Sequence, residues 1–409
     1  MSKQTLTYWD SNPNSGRTEA FTLAGQAFCE QEGLEFIYEP KRIDTYLTDV
    51  MTAWSRGTGP DIVDIWPIWL PQLIERDLLQ PLDSWVNSWQ RASDYESNHR
   101  RLSSSVGGHF WFLACDLFIQ GTHYRKDLIK RAGLRDPAEL DARGLWTIER
   151  FVEYAVALHT PENDVVGVSL RGGQGGELTA FNIAVNTGPG SLFDSSGKCL
   201  LDAPEACKGL EQYTSLAATH RVTQTTAAQD GYQQCAWRFY EGHAAMMIHN
   251  DDAAKAVQNR YLGPEAYGNC RIPSVNGNPR LGLAGFGVGV YSGSPVIDAA
   301  SRYACHFVEN YGRNLRRGTE TVGVTGPLGV SCGPLKPWPK ERNPIQEPFR
   351  RAMESSDGFY ALPFGLRGYK ELIESKVSLD LQRLLKGECD AQAVSTGWAS
   401  ALTSLTLPD

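Results

Sequence analysis

The first 85 residues alternate between two kinds of hydrophobic spacing. Thr5–Trp9 is a strand-like run, and Leu34–Tyr38 is a second. Between them Ala20, Phe21, Leu23, Ala24, Ala27 and Phe28 make one apolar face. That spacing predicts a helix over about Arg17–Glu32, capped by Asn14 or Ser15 and stopped by Gly33. Ile43, Leu47, Val50, Met51 and Trp54 mark another helix, which Gly57 ends. Ile62–Ile65 reads as a short buried strand and Ile68–Arg76 as helix. Strand–helix–strand–helix–strand at this spacing predicts a largely parallel sheet with helices on its faces.

A second unit begins near Phe112–Asp116. Thr122–Arg125 reads as strand and Lys126–Gly133 as a short helix. Thr147 offers a cap before a helix carrying Phe151, Tyr154, Ala155 and Leu158. Cys207–Thr219 and Gln233–Tyr240 are helical stretches, and Gly242–Ile248 brings a buried strand after the latter. Gly282–Tyr291 alternates small and apolar residues, as an extended crossing segment does, and Ala299–Asn310 is a long amphipathic helix. A loop rich in Pro and Gly spans Gly326–Pro344, and the last 60 residues are mainly helical.

Length adds a count: 409 residues correspond to two or three domains. The formal charge of −8 argues against a nucleic-acid partner, which selects basic surfaces. No apolar run is long enough to span a membrane. Met1–Gln4 leads directly into the first strand with no secretory h-region, so the chain reads either as cytoplasmic or as a mature form whose export signal has been replaced by a short start. Nine scattered cysteines form no Cys-x-x-Cys, and the eight histidines do not cluster at ligand spacing, so no metal and no cofactor is expected. Most of the thiols read as small buried hydrophobes, with a disulfide left open. Eleven Trp, 16 Tyr and 15 Phe supply many flat faces.

Several segments, taken in order, resemble the extracellular solute-binding proteins of bacterial ABC importers, in the maltose-binding-like, sugar-binding cluster of family 1. They are Leu6-Thr7-Tyr8-Trp9-Asp10, then Ala53–Val63 with its Gly57-Thr58-Gly59-Pro60-Asp61 step, then Leu78–Asp83. Tyr124–Leu134 and Trp146–Phe151 follow, then Phe239–Met246 and Gly282–Val288. Two departures are visible: Ala284-Gly285 stands where the family has Gly-Gly, and Trp146 precedes Thr147 where the family has Thr before Trp. The resemblance implies a two-lobed α/β fold of the periplasmic-binding-protein type II kind, each lobe a mostly parallel sheet flanked by helices. Residues 1–113 with about 285–335 form one lobe, and about 114–284 with 336–409 the other. It implies a sugar or sugar derivative held between the lobes by hinge closure, delivery to a membrane permease, a monomeric protein, and a periplasmic or membrane-tethered location.

Under that resemblance the ligand residues lie where strands end. Trp9, Asp10 and Asn12 close the first strand. Trp66 and Trp69 follow the third, lining the site or packing under the next helix; Asp64 faces the site or caps the turn. Asp116 ends the first crossover. In the second lobe Gly175 and Gly176 belong to a glycine-rich turn, Gly172–Glu177, that offers backbone N–H groups at a helix start. His249-Asn250-Asp251-Asp252 follows a strand, with Asn250 and Asp251 favoured as ligand contacts. Phe286 is the expected stacking platform, and Phe364 and Arg367 sit in a late loop whose Arg either offers a fork suited to an anionic group or is a plain surface side chain.

Other signals are weaker. Gly329-Val330-Ser331-Cys332-Gly333 matches a nucleophile elbow, but Pro334 and Pro337 block the helix such an elbow requires. The rival class is a cytoplasmic α/β carbohydrate-active enzyme such as a glycosidase, which needs two carboxylates about 5–10 Å apart in one site.

Overall fold

The computed structural model describes residues 3–11, 15–251, 266–321, 330–336, 346–355 and 357–406. Eleven strands lie among them: β1 (Thr5–Asp10), β2 (Glu35–Pro40), β3 (Ile62–Ile65), β4 (Leu113–Leu117), β5 (Gln120–Arg125), β6 (Val166–Ser169), β7 (Ala244–Asn250), β8 (Tyr267–Arg271), β9 (Leu281–Gly282), β10 (Gly285–Val290) and β11 (Phe359–Tyr360). The chain divides into two compact units, Met1–Phe118 with Ala284–Glu341 and Ile119–Leu283 with Arg342–Asp409. The first holds a five-stranded sheet of order β2-β1-β3-β10-β4. The second holds a four-stranded sheet of order β6-β7-β5-β8 and the short pair β11-β9.

The sheets are mixed rather than simply parallel. β1 pairs parallel with β2 and β3, whereas β10 runs antiparallel to both β3 and β4. In the second sheet β6 and β7 are parallel, and β5 runs antiparallel to β7 and β8. Each sheet therefore has strands of one direction and a single reversed strand. In each unit the reversed strand is the one that begins just after the chain enters: β5 after Phe118/Ile119, β10 after Leu283/Ala284. The chain's entry point thus falls on the edge where the other strands end. β4 departs from the sequence reading: Phe112–Asp116 belongs to the first unit, because β10 holds it there as an edge strand.

In the first unit the helix Ser15–Glu32 buries Ala20, Phe21, Ala24 and Phe28, whereas Leu23 is half-buried and Ala27 exposed. Gly33 ends it at a φ of 72°, a left-handed conformation that costs glycine little. Its apolar face meets the helix Ile297–Thr321. Phe21 and Phe307 lie edge-on at 4.7 Å, and Phe28 packs on Tyr303 at 5.3 Å. Such tilted and edge-on ring pairs add to what burial alone contributes. The second predicted helix runs Tyr46–Ser55 and leaves Ile43 outside; Tyr46, Val50 and Trp54 are its buried residues. Ile68–Arg76 resolves into a 3₁₀ turn, Pro67–Trp69, and a short helix, Leu70–Ile74.

In the second unit Thr147 caps the helix Ile148–Leu158 by accepting from Arg150 N–H, and Phe151, Tyr154, Ala155 and Leu158 are buried as their spacing requires. Trp146 packs edge-on against Tyr154 at 5.2 Å, and Phe181 against the fully buried Trp398 at 5.7 Å. All nine thiols are free; eight are buried and Cys389 is half-buried. Asn14 and most of the Gly326–Pro344 loop lie outside the described residues.

β10 explains its own composition. A Cβ on Gly287 would stand 2.0 Å from the carbonyl oxygen of Leu113, and one on Gly285 2.1 Å from that of Asp116. The Gly-Phe-Gly-Val-Gly run therefore lets the β4 backbone approach across a local register shift between Phe286 and Gly287. We expect Gly287→Val to cost about 3 kcal/mol or more in urea unfolding, or to prevent folding, because backbone atoms have nowhere to move. A variant as stable as the parent would show that β4 does not approach this closely.

Candidate functional site

At the end of β1 the alternation of a strand turns Tyr8 and Asp10 inward and Trp9 to the opposite face. Asp10 accepts from Arg17 Nε at 2.9 Å and from the Tyr38 hydroxyl at 2.5 Å. Asp64, on the neighbouring β3, accepts from Arg17 Nη2 at 2.7 Å, from Ser11 N–H at 2.9 Å, from Ser11 Oγ at 2.7 Å and from the Tyr8 hydroxyl. Its own N–H donates to the Tyr46 hydroxyl at 2.9 Å. Both carboxylates are fully buried. One guanidinium thus bridges two strand ends, and the carboxylates hold the edge together rather than opening toward a ligand. Burial is the main force raising the Asp64 carboxyl, with the Asp10 charge adding to it, to about 7.

The same edge carries aromatic faces. Trp66 is half-buried; its Nε1 donates to Ser11 Oγ at 3.3 Å, and its ring lies 5.9 Å from Trp69 and 5.4 Å from the half-buried Phe118. Trp69 stacks on Tyr46 at 5.5 Å. The Lys41 ammonium sits 3.9 Å from the Trp9 ring centre, a cation–π contact that covers one face. Asp116 accepts from the Tyr311 hydroxyl and from Cys332 Sγ, both at 3.2 Å. Phe286 departs from expectation: it is buried in the core, with the Arg17 guanidinium 4.5 Å over its ring and Tyr311 edge-on at 6.2 Å. A ring on the central reversed strand faces the helix layer, so it is packing rather than a stacking platform. Asn12 lies outside the described residues.

In the second unit the corresponding edge collects the ends of β6 and β7 and the start of β5. The turn after β6 does not present free N–H groups as expected. Gly172 N–H donates to Ala227 O and Gly173 N–H to Asp230 O, while Gly176 N–H donates back to Gly173 O. The Glu177 side chain stands at the helix start, where the backbone at Gly175 and Glu177 favours its charged form against the cost of burial. Gly175 is left-handed at a φ of 80°. Arg171 Nε donates to Gln174 O at 2.6 Å, and its guanidinium lies 5.4 Å from the Tyr232 ring centre. Burial lowers the Arg171 pKa and raises that of Glu177, and each charge partly offsets the shift of the other.

His249, near the end of β7, packs edge-on against Tyr232 at 4.2 Å, and its Nε2 donates to Tyr232 O at 3.1 Å. Burial, assisted by Arg171, pushes its pKa down to about 3, so the ring is neutral and Nδ1 carries a lone pair. That Nδ1 is buried and has no hydrogen-bond partner among the described residues; the same holds for Asn250 Oδ1, Glu177 Oε2 and Thr179 Oγ1. Asn250 pairs across the ladder with Gln120, whose Oε1 accepts from Asn182 Nδ2 at 3.0 Å. Asp251 is buried, and its N–H donates to Ile119 O at 2.9 Å. Phe364 is buried edge-on against Tyr369 at 5.9 Å, and Arg367 is exposed in the turn before Tyr369.

Of the residues singled out in the sequence, the structure brings Trp9, Asp10, Asp64, Trp66 and Trp69 to one edge of the first unit, and Gly175, Gly176, Asn250 and Asp251 to one edge of the second. Arg17, Arg171 and Tyr232 escaped notice, as did Phe118, and His249 was passed over for its neighbours. Arg17 had a signal: it is a lone cation three and four residues before Ala20 and Phe21, on the predicted buried stripe. The nucleophile-elbow motif dissolves on inspection. Val330–Cys332 is a 3₁₀ turn, and His99, held by Glu96 at 2.9 Å, donates from Nε2 to the Ser331 carbonyl at 3.0 Å rather than to its hydroxyl.

Comparison with known proteins agrees with this architecture. Residues 13–311 match the family model described as bacterial extracellular solute-binding protein. The putative ABC transporter periplasmic-binding protein YcjN of Escherichia coli (strain K12) is 25% identical over 235 residues, 56% of this chain and 51% of that one. A mannitol-binding protein of Pseudomonas aeruginosa is 28% identical over 158 residues, 38% of this chain and 34% of that one. The chain thus aligns with about half the length, or less, of these curated relatives. Among solved structures, an ABC transporter solute-binding protein of Thermotoga lettingae bound with α-D-tagatose superposes with a TM-score of 0.75 at 19% identity, covering 98% of this chain and 99% of that one. Likeness at that identity shows the fold, the two-lobed periplasmic-binding-protein type.

Two outcomes test the geometry. Burial holds the Asp64 carboxyl above its unfolded value, so its contribution to stability is fully present below about 4 and falls as pH rises toward about 7, by at most about 1.4 kcal/mol per pH unit. Asp64→Asn should flatten that slope in urea melts across the range; an identical slope would mean Asp64 is already ionised throughout. Phe286→Ala should cost about 3–5 kcal/mol of stability, as loss of a core ring does, measured by the same unfolding method.

Proposed function

Because this chain belongs to the bacterial extracellular solute-binding proteins, we propose that it is the substrate-binding component of an ABC importer and that its ligand is a sugar or a polyol. The observation that carries the reading is the set of buried acceptors that have no partner among the described residues at one strand edge of the second unit: His249 Nδ1, Asn250 Oδ1 and Glu177 Oε2. Buried polar atoms are ordinarily bonded, and leaving one unmet costs about 1–3 kcal/mol. A ligand rich in hydroxyls is the natural source of the missing donors. The first unit, by itself, carries the half-buried rings of Trp66 and Phe118 at its strand ends, apolar faces of the kind that stack on the C–H side of a sugar. The tagatose-bound neighbour and the mannitol-binding relative support the same ligand class.

The family is extracellular, and we place the protein in the periplasm or tethered to the outer face of the membrane, acting as a monomer on a membrane permease. Among the described residues no helix is long and apolar enough to cross a membrane. The glycosidase reading fares worse. Its two carboxylates must reach substrate, but Asp10 and Asp64 are sealed and share Arg17.

The test is a thermal-shift screen over linear polyols, monosaccharides and short oligosaccharides, with each additive recovered afterwards. We expect at least one to raise the melting temperature by several degrees, since saturation at a hundredfold over Kd adds about 2.7 kcal/mol, and to be recovered intact. Recovery of a cleaved or oxidised product would overturn the reading in favour of an enzyme.

A further inference from the structure

Arg171, Glu177, Tyr232 and His249 come from three separate places in the second unit: the turn after β6, the helix Tyr232–Tyr240, and β7. They interact as one group. Tyr232 contacts Arg171 through its ring and His249 through both ring and carbonyl, and the Arg171 charge acts on both Glu177 and His249. Two features set the group apart from ordinary packing. The imidazole is 1% exposed, and because its Nε2 is committed to a carbonyl, its Nδ1 is an acceptor that nothing among the described residues meets. Glu177 stands at the helix start, and its Oε2 is buried and unmet among the described residues.

The unmet atoms are therefore acceptors, and the Arg171 charge already acts on the Glu177 carboxylate. A hydroxyl answers both atoms by donating. A carboxylate or phosphate answers neither, since it has lone pairs where donors are needed, and it adds a charge beside Glu177. Arg367, which the sequence marked as the anion-holding fork, lies exposed in a turn. We propose that Arg171, Glu177, Tyr232 and His249 form a ligand subsite that accepts hydroxyl donors at His249 Nδ1 and Glu177 Oε2, and that this subsite makes the protein selective for uncharged sugars or polyols over the corresponding sugar acids. The proposal rests on the transport reading above and specifies its ligand.

Isothermal titration of the full chain with matched pairs tests it: D-mannitol against D-mannonate, D-glucose against D-glucuronate, and maltose against maltobionate. We expect the neutral member of whichever pair binds to be at least tenfold tighter. His249→Phe keeps a ring against Tyr232 but removes the acceptor, and should weaken neutral binding at least tenfold. Glu177→Gln keeps the shape and leaves Arg171 uncompensated, so the neutral-to-acid affinity ratio should fall at least tenfold. A purely structural role would not move that ratio, and the second variant serves if the first does not fold. An acid bound as tightly as its neutral partner, or a ratio unchanged in folded Glu177→Gln, overturns the subsite while leaving the transport reading in place. No binding by any member of the panel overturns both.

Discussion

A single guanidinium placed between two carboxylates organises the first unit. Arg17 reaches from the first helix to Asp10 at the end of β1 and to Asp64 on β3, and both acids are sealed from water. A buried charge is tolerated only when paired and hydrogen-bonded, and removing one partner strands the other. The surrounding tyrosines follow from that requirement. Tyr8 and Tyr38 donate to the remaining carboxylate oxygens, and the Tyr46 hydroxyl accepts the Asp64 N–H and donates to the Trp9 carbonyl. Through these bonds the strand ends, the turn at Ser11 and the Trp66 ring share one fixed frame. With its buried acids satisfied, this edge has mainly aromatic surface to offer.

The second unit solves the same topological problem with the opposite polarity. Its strand edge is also shaped by a reversed strand and a turn before a helix, but there the buried acceptors are left unmet by protein donors among the described residues. The glycine-rich turn shows how. The N–H groups of Gly172, Gly173 and Gly176 are taken by neighbouring carbonyls, and the Glu177 side chain stands at the helix start. What is left over is acceptor capacity on Glu177 and His249. Function in this reading comes from what the fold declines to satisfy.

Close approach of backbones is the second constraint. The chain enters each unit on the edge where strands end, and it must insert a strand of opposite direction there. On β10 that insertion brings carbonyls of β4 within 2.0 to 2.1 Å of where a Cβ would be. Glycine at alternate positions is the only composition that fits, while Phe286, Val288 and Val290, on the other face, build the core.

Local pattern determined the elements. The stripe of Ala20, Phe21, Ala24 and Phe28, the Thr147 cap and the buried run through Ile248 each specify a helix or strand from neighbours in the chain, and the order of these elements carried the family resemblance. Pattern also marks loops after strands, at Trp9, Trp66 and Asn250. It could not say which side chains at those edges stay open. Asp10 and Asp64 look like ligand groups until Arg17 is seen between them, and His249 looks like a core residue until its Nε2 is traced to Tyr232, 17 residues earlier in the chain. Phe286 kept its expected strand and lost its expected role, because only the packed helices decide which face of that strand is interior. Periodicity is a property of neighbouring residues, whereas hydrogen-bond satisfaction is settled by atoms far apart in sequence. The fold was therefore readable along the chain, and the chemistry of the site was fixed only when the chain closed on itself.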